Sequence, residues 1–435
     1  MRSVLSARSV FSPLDDELGL VSGRLTPRLQ ASLTRMGSCG PFEEAVESLA
    51  DTLRVHISEP TARRQTEKWG AEYVSVQEEE VKRIEQELPP APIGPDEMLL
   101  SIDGAMVPLV GGEWAEVKTL VLGVIDEPVW EGDEWKVHAS ELSYFSRLME
   151  AEDFGRAALG ETHHRGLETA SQVVAVTDGA VWEQGFIDYH REDAARVLDF
   201  AHAAGYVAQM GNAVWGEGAA TTRAWLSQQL HTLKHEGPTA ALSELRTLTQ
   251  DHPELPELAE SLAYLEKREA QMQYPLCLAQ GWPLGSGAVE SGNKVVVEAR
   301  LKGAGMHWAR GHVNPMLALR NALCSDRWAE ARSQILTHQH LQMLRMRQLH
   351  RERHLAEQAA APAIIETLPC TQLVELTVQA PVSQPDPLPD ARASDASDST
   401  TPREPWRPGP DHPWRHSPIG KARYRQHPHA SPAKN

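Results

Sequence analysis

Three acidic residues, far apart in the chain, stand where they could carry chemistry together. Asp103 lies near the end of MLLSIDGA (98–105) and Asp178 near the end of SQVVAVTDGA (171–180), two short apolar runs in which the acid is followed by glycine. Runs of this kind read as buried strands that deliver an acid at their C-terminal end. The third acid, Glu290, belongs to GWPLGSGAVESGNKVVVEARLKGAGMHW (281–308), where the Gly285-Ser286-Gly287 turn leads into a predicted helix with Ser286 as its N-cap. Glu290 then falls in the first turn, where the helix dipole favours a carboxylate. Asn293 and Lys294 share its face at i+3 and i+4, and Arg300 and Lys302 add positive charge further along. Taken alone, this segment also fits an ordinary charged helix surface. Combined with two strand-end aspartates, it makes a set of hard oxygen ligands of the kind Mg²⁺ takes, with Mn²⁺ as a substitute. Three converging carboxylates would hold two ions about 3.5–4 Å apart, which clamp the attacking and leaving oxygens of an in-line phosphoryl displacement.

Convergence requires a particular arrangement of elements. EVKTLVLGVI (116–125) reads as a second strand, antiparallel to the first across VPLVGGEWA, and a third strand is expected around WKVHASEL. SYFSRLMEAEDFGRAAL is expected to be a helix. The crossover it would form makes the strand before Asp178 a parallel neighbour of the strand before Asp103, with both acids at one sheet edge. ARVLDFAHAAGYV (195–207) gives a further strand into Asp199 and a helix beginning near His202. An all-helical insertion follows over about 205–275, broken at Gly237-Pro238, Pro253 and Pro256, before the chain reaches Glu290.

Residues 12–88 are predicted to be helical. LTPRLQASLTRM is stopped by Gly37 and Gly40-Pro41; Phe42, Val46, Leu49 and Leu53 form a one-face stripe; and Ser58-Glu59-Pro60 opens a further helix that exposes Thr61, Arg63, Arg64 and Lys68. Helix, tight turn, then a helix with short polar and Arg residues near its start is the helix-turn-helix plan. An αα-hairpin with a charged outer face has the same pattern. PPAPIGP (89–95) reads as a stiff linker and first domain boundary, ahead of an α/β domain over 96–330. One or two long helices, including an extension over 331–356, carry Arg and His that could track a DNA backbone or remain solvated. The Ala/Pro/Asp/Ser-rich remainder, 357–435, is expected to be disordered. Its end interleaves Trp406, Trp414 and Tyr424 with Arg, Lys and His. Such a tail supplies non-specific phosphate affinity or serves solubility alone.

Composition bounds these readings. The 435 residues leave room for a sizeable core, and a net charge of -18 argues against a generally basic nucleic-acid binder, so any DNA contact must come from local basic patches. Cys39, Cys277, Cys324 and Cys370 are too scattered for a disulfide framework or a zinc site. No apolar run approaches a membrane span. The Arg- and Ser-rich MRSVLSARSVF is a faint echo of a transit peptide, and the expected location is the cytoplasm.

IDGAMVPL, AVTDGAVWE, VLDFAHA and PLGSGAVESGNKVVVEARLKGAGMHW together resemble the motifs of DDE transposases of bacterial insertion sequences, specifically the ISKra-type group. LDDELGLVSGRLTPRLQ and VHISEPTARRQTE resemble that group's N-terminal region, so the likeness spans roughly 12–330 in order. The resemblance implies an α/β, RNase H-like mixed sheet with a helical insertion between the second and third acids. It implies that Asp103, Asp178 and Glu290 are the catalytic, Mg²⁺-binding triad. Asp199 and His202 match the group's D-x-x-H element, which braces the site or contacts DNA near the cleaved bond; a packed helix histidine is the alternative for His202. Arg63, Arg64, Lys68, Lys294, Arg300 and Lys302 become the expected DNA contacts. The implied partners are double-stranded DNA, as element ends and target, and further copies of the chain assembled on it, in the bacterial nucleoid. Members of the group often carry a Cys-rich, zinc-ribbon-like segment ahead of LDDELGL, and none precedes it here, a departure that bears on recognition of terminal repeats. The competing functions are a non-catalytic helix-turn-helix DNA-binding protein on an RNase H-like scaffold, and a related nuclease that cuts without joining strands.

Overall fold

The computed structural model describes residues 25–132 and 134–360, with side chains described as far as residue 356. The LDDELGL stretch, the transit-peptide-like start and the Trp- and Arg-containing tail lie outside them. At the centre is a five-stranded sheet in the order β5-β2-β1-β6-β7, formed by β1 (Glu97–Pro108), β2 (Trp114–Ile125), β5 (Ala139–Arg147), β6 (Gln172–Thr177) and β7 (Ala195–Leu198). β1 is antiparallel to β2 and parallel to β6, β2 is antiparallel to β5, and β6 is parallel to β7, so β2 alone runs against the other four. A separate hairpin, β3 (Val129–Glu131) and β4 (Glu134–Lys136), sits between β2 and β5 in the chain.

Side-chain alternation sorts the sheet into two buried faces. Met98, Leu100, Ile102, Leu120, Leu122 and Phe145 pack on one face against Phe154 of α4 (Ala151–Ala157) and Phe186 and Ile187 of α6 (Val181–Arg191). Leu99, Val174, Val176 and Val197 on the other face meet α7 (Phe200–Trp215) and the insertion helices α8 (Ala220–His235), α9 (Pro238–Asp251) and α10 (Pro256–Lys267). Short helices α5 (Leu159–His164) and α11 (Tyr274–Gln280) complete the connections. Further along this second face, Ala105, Val107, Val117 and Val121 lie under the Glu290 segment through Val289, Val296, Val297 and Leu301.

Three helices precede the sheet: α1 (Pro27–Cys39), α2 (Phe42–Leu53) and α3 (Glu59–Glu87), the last opened by Ser58 and Pro60 as its sequence implied. α3 is a continuous helix of 29 residues. Trp69 and Tyr73 of α3 share a core with Ala318 and Leu319 of α13 (Arg310–Cys324) and with Ala331 and Ile335 of α14 (Trp328–Ala360). A Cβ on Gly70 would overlap the Pro315 carbonyl, so the α3–α13 approach depends on glycine there. Residues 89–95 have no regular structure, yet they are held in place: the Gly94 N–H donates to Thr169 Oγ1 (2.8 Å), and that hydroxyl donates to the Pro92 carbonyl (2.5 Å). α14 runs four residues past the expected helical end at residue 356. No helix among the described residues is long and apolar enough to cross a membrane.

Two expectations about elements fail. Ser143–Arg147, expected within a helix, is the end of β5. Its Ser146 hydroxyl meets that of Thr119 on β2 at 3.0 Å, while Tyr144 and Phe145 go to opposite faces of the sheet; the helix begins only at Ala151. Pairing with a long neighbouring strand has overridden a pattern that also fits helix. For the same reason β1 does not end near Asp103. It runs on to Pro108, paired with β2 as far as Trp114.

Candidate metal centre

The two aspartates meet because of strand register. β1 and β6 pair in parallel with Ser101 opposite Val176, and continuing that register by two residues sets Asp103 opposite Asp178. Adjacent strands lie about 4.8 Å apart, and a step of two keeps a side chain on its face, so both carboxylates emerge side by side on the Glu290 side of the sheet. Asp103 Oδ1 accepts from the Gly104 N–H (2.7 Å) and Oδ2 from Asn293 Nδ2 (2.9 Å). Its pKa is raised, first by burial and then by the charges of Asp178 and Glu290; the Gly104 and Asn293 hydrogen bonds oppose the rise.

Asp178 directly follows β6, at a turn in which Gly179 has φ +81°. Its Oδ1 accepts the Ala180 N–H at 3.0 Å. The first turn of α6 supplies a third acid that sequence reading missed: ligand oxygens of Asp103, Asp178 and Glu183 all lie within 4.8 Å of one another. Glu183 Oε2 accepts the N–H groups of Gly179 and Ala180, both at 3.0 Å. Burial, reinforced by a hydrogen bond with Asp178 and by that residue's charge, pushes its carboxyl up to about 9, so at neutral pH it holds a proton for Asp178. The signal was present in AVTDGAVWE: an acid at the third position of the helix that follows Asp178-Gly179 is placed to take the first free N–H groups.

Glu290 stands apart from this tight cluster. It is exposed on α12 (Gly287–Gly292), close enough for its charge to act on Asp103, and Ser286 Oγ lies 3.4 Å from its Oε1. Ser286 opens the helix with its backbone carbonyl, which accepts from Val289 and Glu290. Its own N–H (2.6 Å) and hydroxyl (2.9 Å) go to Asp199 Oδ2 instead of capping the helix. Asp199 is buried and caps α7 as well, with Oδ1 accepting the His202 N–H at 2.6 Å. Asp199 therefore fixes the start of the Glu290 helix against the end of β7. The regular helix expected through Lys302 changes at Asn293, where a π-helical turn runs to Glu298 before a last short stretch, Ala299–Leu301. Asn293 points into the site, whereas Glu290 and Lys294 face solvent. Single π-turns of this kind recur at functional sites.

The remaining expected residues divide. His202 is half-buried, its ring 5.8 Å from Tyr264 and 5.5 Å from Tyr206, beside the Asp178 turn and not in the acid cluster. Arg63, Arg64 and Lys68 are exposed on α3; Lys302 is exposed and bridges to Glu298 at 2.8 Å. Arg300 overturns its expected DNA contact. It is 2 % exposed, donates to the Gly37 carbonyl, and lies over the Phe42 and Trp308 rings at 4.6 and 4.9 Å. Its cation ties the Glu290 segment to α1 and α2 and is out of reach of a phosphate. No protein-family model matches the chain, and no curated protein does.

Proposed function

We propose that this chain is a DDE transposase: a metal-dependent phosphoryl transferase that cleaves the ends of an insertion sequence and joins them to target DNA. The observation that carries the reading is the β1–β6 register, which brings two acids 75 positions apart in sequence onto one face, with Glu290 close enough for its charge to act on Asp103. The strand order β5-β2-β1-β6-β7, with β2 alone reversed and a helical insertion before the third acid, suits an RNase H-like fold.

Asp103 and Asp178 fit a divalent cation. Their donors are hard oxygens, and the mutual repulsion that helps raise Asp103 is of the kind a cation relieves. Bound Mg²⁺ or Mn²⁺ would activate a water or 3′-hydroxyl nucleophile and neutralise charge on the leaving oxygen. Asp103 and Asp178 would hold the cation, with Glu290 completing the set from its exposed helix. Asn293 donates to Asp103 and favours its charged form; Lys294, exposed one position further on, is available to a phosphate oxygen. Arg63, Arg64 and Lys68 would grip duplex DNA away from the reacting bond, and assembly of several copies on paired element ends follows from the need to cut two ends. Work on DNA in the bacterial cytoplasm is part of the same reading.

Incubating the protein with the DNA that flanks its own gene, plus Mg²⁺, tests the reading. Cleaved and joined products are expected, and Asp103→Ala, Asp178→Ala and Glu290→Ala should each abolish both while DNA binding persists. Cutting without joining would identify a nuclease; a mobility shift without cutting would identify a binding protein. Full cutting by any one variant would remove that residue from the site.

A further inference from the structure

The turn that carries Asp178 is gripped from a distant part of the chain. Tyr264 Oη donates to the Asp178 carbonyl at 2.5 Å, and Arg268 Nε and Nη2 both donate to the Gly179 carbonyl, at 3.1 and 2.7 Å. These two residues sit at the end of α10 and just past it, the last long helix of the insertion. They are themselves braced: the Arg268 guanidinium lies 3.5 Å from the centre of the Tyr264 ring, and Tyr264 stacks on Tyr206 of α7 at 3.9 Å with 12° between planes. His202 meets both tyrosine rings, which gives that residue a place in the brace. On the opposite side of the turn, Glu183 takes the two N–H groups of Gly179 and Ala180. The carbonyls of residues 178 and 179 are thus fixed by the insertion, and the N–H groups of 179 and 180 by α6. With both peptide edges held, the Asp178 carboxylate has little freedom to turn away from Asp103.

We propose that Tyr264 and Arg268 are positioning residues: through the backbone of the Asp178–Gly179 turn, the helical insertion sets the Asp178 carboxylate for the divalent cation. The proposal rests on the metal-site reading given above. Groups that orient metal ligands affect affinity strongly when removed, by about tenfold or more. A residue that merely supported the fold would change stability and leave cation affinity alone.

The test is Mn²⁺ binding by the full chain without DNA, followed by electron paramagnetic resonance of the free ion, with thermal unfolding as the control for folding. Tyr264→Phe keeps the ring stack and loses only the hydroxyl, so the fold should persist while the Mn²⁺ dissociation constant rises several-fold. Arg268→Ala should raise it by about tenfold, and Arg268→Lys, which keeps one donor, should recover part of that loss. Asp103→Asn is the reference for the site. If Asp103→Asn loses Mn²⁺ while Tyr264→Phe and Arg268→Ala, still folded, bind it as the parent does, the clamp is overturned and the metal site stands. If Asp103→Asn binds Mn²⁺ undiminished, the metal site is overturned and the clamp with it.

Discussion

Asp103-Gly104 and Asp178-Gly179 look like the same dipeptide used twice, yet the fold holds them by different means. Asp103 lies in the middle of a strand, its backbone locked by the β1–β2 ladder on both sides of it, with Thr119 as its partner. Asp178 lies past the last paired residue of β6, at a turn fixed by Glu183, Tyr264 and Arg268. A ladder is local and redundant, because the loss of one hydrogen bond leaves its neighbours. The turn depends on a few side chains, two of them more than 80 residues away in sequence. The first acid is therefore placed by secondary structure and the second by tertiary structure.

The glycines give the largest test of that contrast. Gly179 has φ +81°, and a Cβ there would come within 2.5 Å of Arg268 Nε. Gly179→Ala therefore meets backbone strain and a clash with the clamp together, and should cost about 1–3 kcal/mol in urea unfolding while removing cutting activity. Gly104 is ordinary strand backbone, and the atoms its Cβ would meet first belong to the Glu116 side chain, a carboxylate oxygen at 2.5 Å and Cγ at 3.0 Å. Gly104→Ala should cost no more than about 1 kcal/mol, since the Glu116 side chain is flexible and needs only to shift while keeping its Lys118 ion pair at 2.8 Å. Equal losses at the two positions would mean that the turn is no more demanding than the ladder.

The same contrast decides what was legible in the sequence. Apolar runs gave the strands and the parallel neighbourhood of Asp103 and Asp178, because burial on two faces and a right-handed crossover leave a clear pattern. The helical insertion and the start of α3 were legible from Gly and Pro punctuation. The clamp was not, because Tyr264 and Arg268 look like any aromatic and any cation on an amphipathic helix until the insertion folds back on the turn. Ser143–Arg147 was misread because a short strand that alternates its serines and its aromatics between the two faces also satisfies helical spacing. Arg300 was misread because charge in a sequence suggests solvent, whereas here Phe42 and Trp308 provide faces for a buried guanidinium. Glu183 is legible only from its place at the third position of the helix after Asp178-Gly179, where a carboxylate meets free N–H groups.

A proton separates the two halves further. Folding lifts the Glu183 carboxyl from its ordinary 4.5 to about 9, so the folded chain keeps a proton that the unfolded chain releases. The stability this group supplies is fully present below pH 4.5 and is lost as pH climbs through about 9. In metal-free buffer, urea midpoints should fall between those limits, and Glu183→Gln should flatten this part of the profile. The amide offers an oxygen to the Gly179 and Ala180 N–H groups and an N–H to Asp178, as the protonated acid does. Glu183→Ala removes both functions and should lower stability throughout. An unchanged slope in Glu183→Gln would place the proton elsewhere.

The smallest effect is expected on the ladder side, at Asn293. Its Nδ2 donates to Asp103 Oδ2 at 2.9 Å, and that bond works against the burial and like charge that raise the Asp103 pKa. Asn293→Ala removes the bond and leaves the ladder that holds the Asp103 backbone untouched. Position should survive and only the protonation balance should shift: the Asp103 pKa rises further, and the acidic limb of the pH–rate profile for DNA cutting moves to higher pH. A hydrogen bond to a charged acceptor contributes about 1.5 kcal/mol, equivalent to a displacement of roughly one pH unit. Cutting at the plateau should stay near the parental rate, which distinguishes this variant from Gly179→Ala, where geometry itself is lost. A collapsed plateau in Asn293→Ala would mean that the strand ladder alone does not position Asp103 and that the π-turn of the Glu290 segment shares the task.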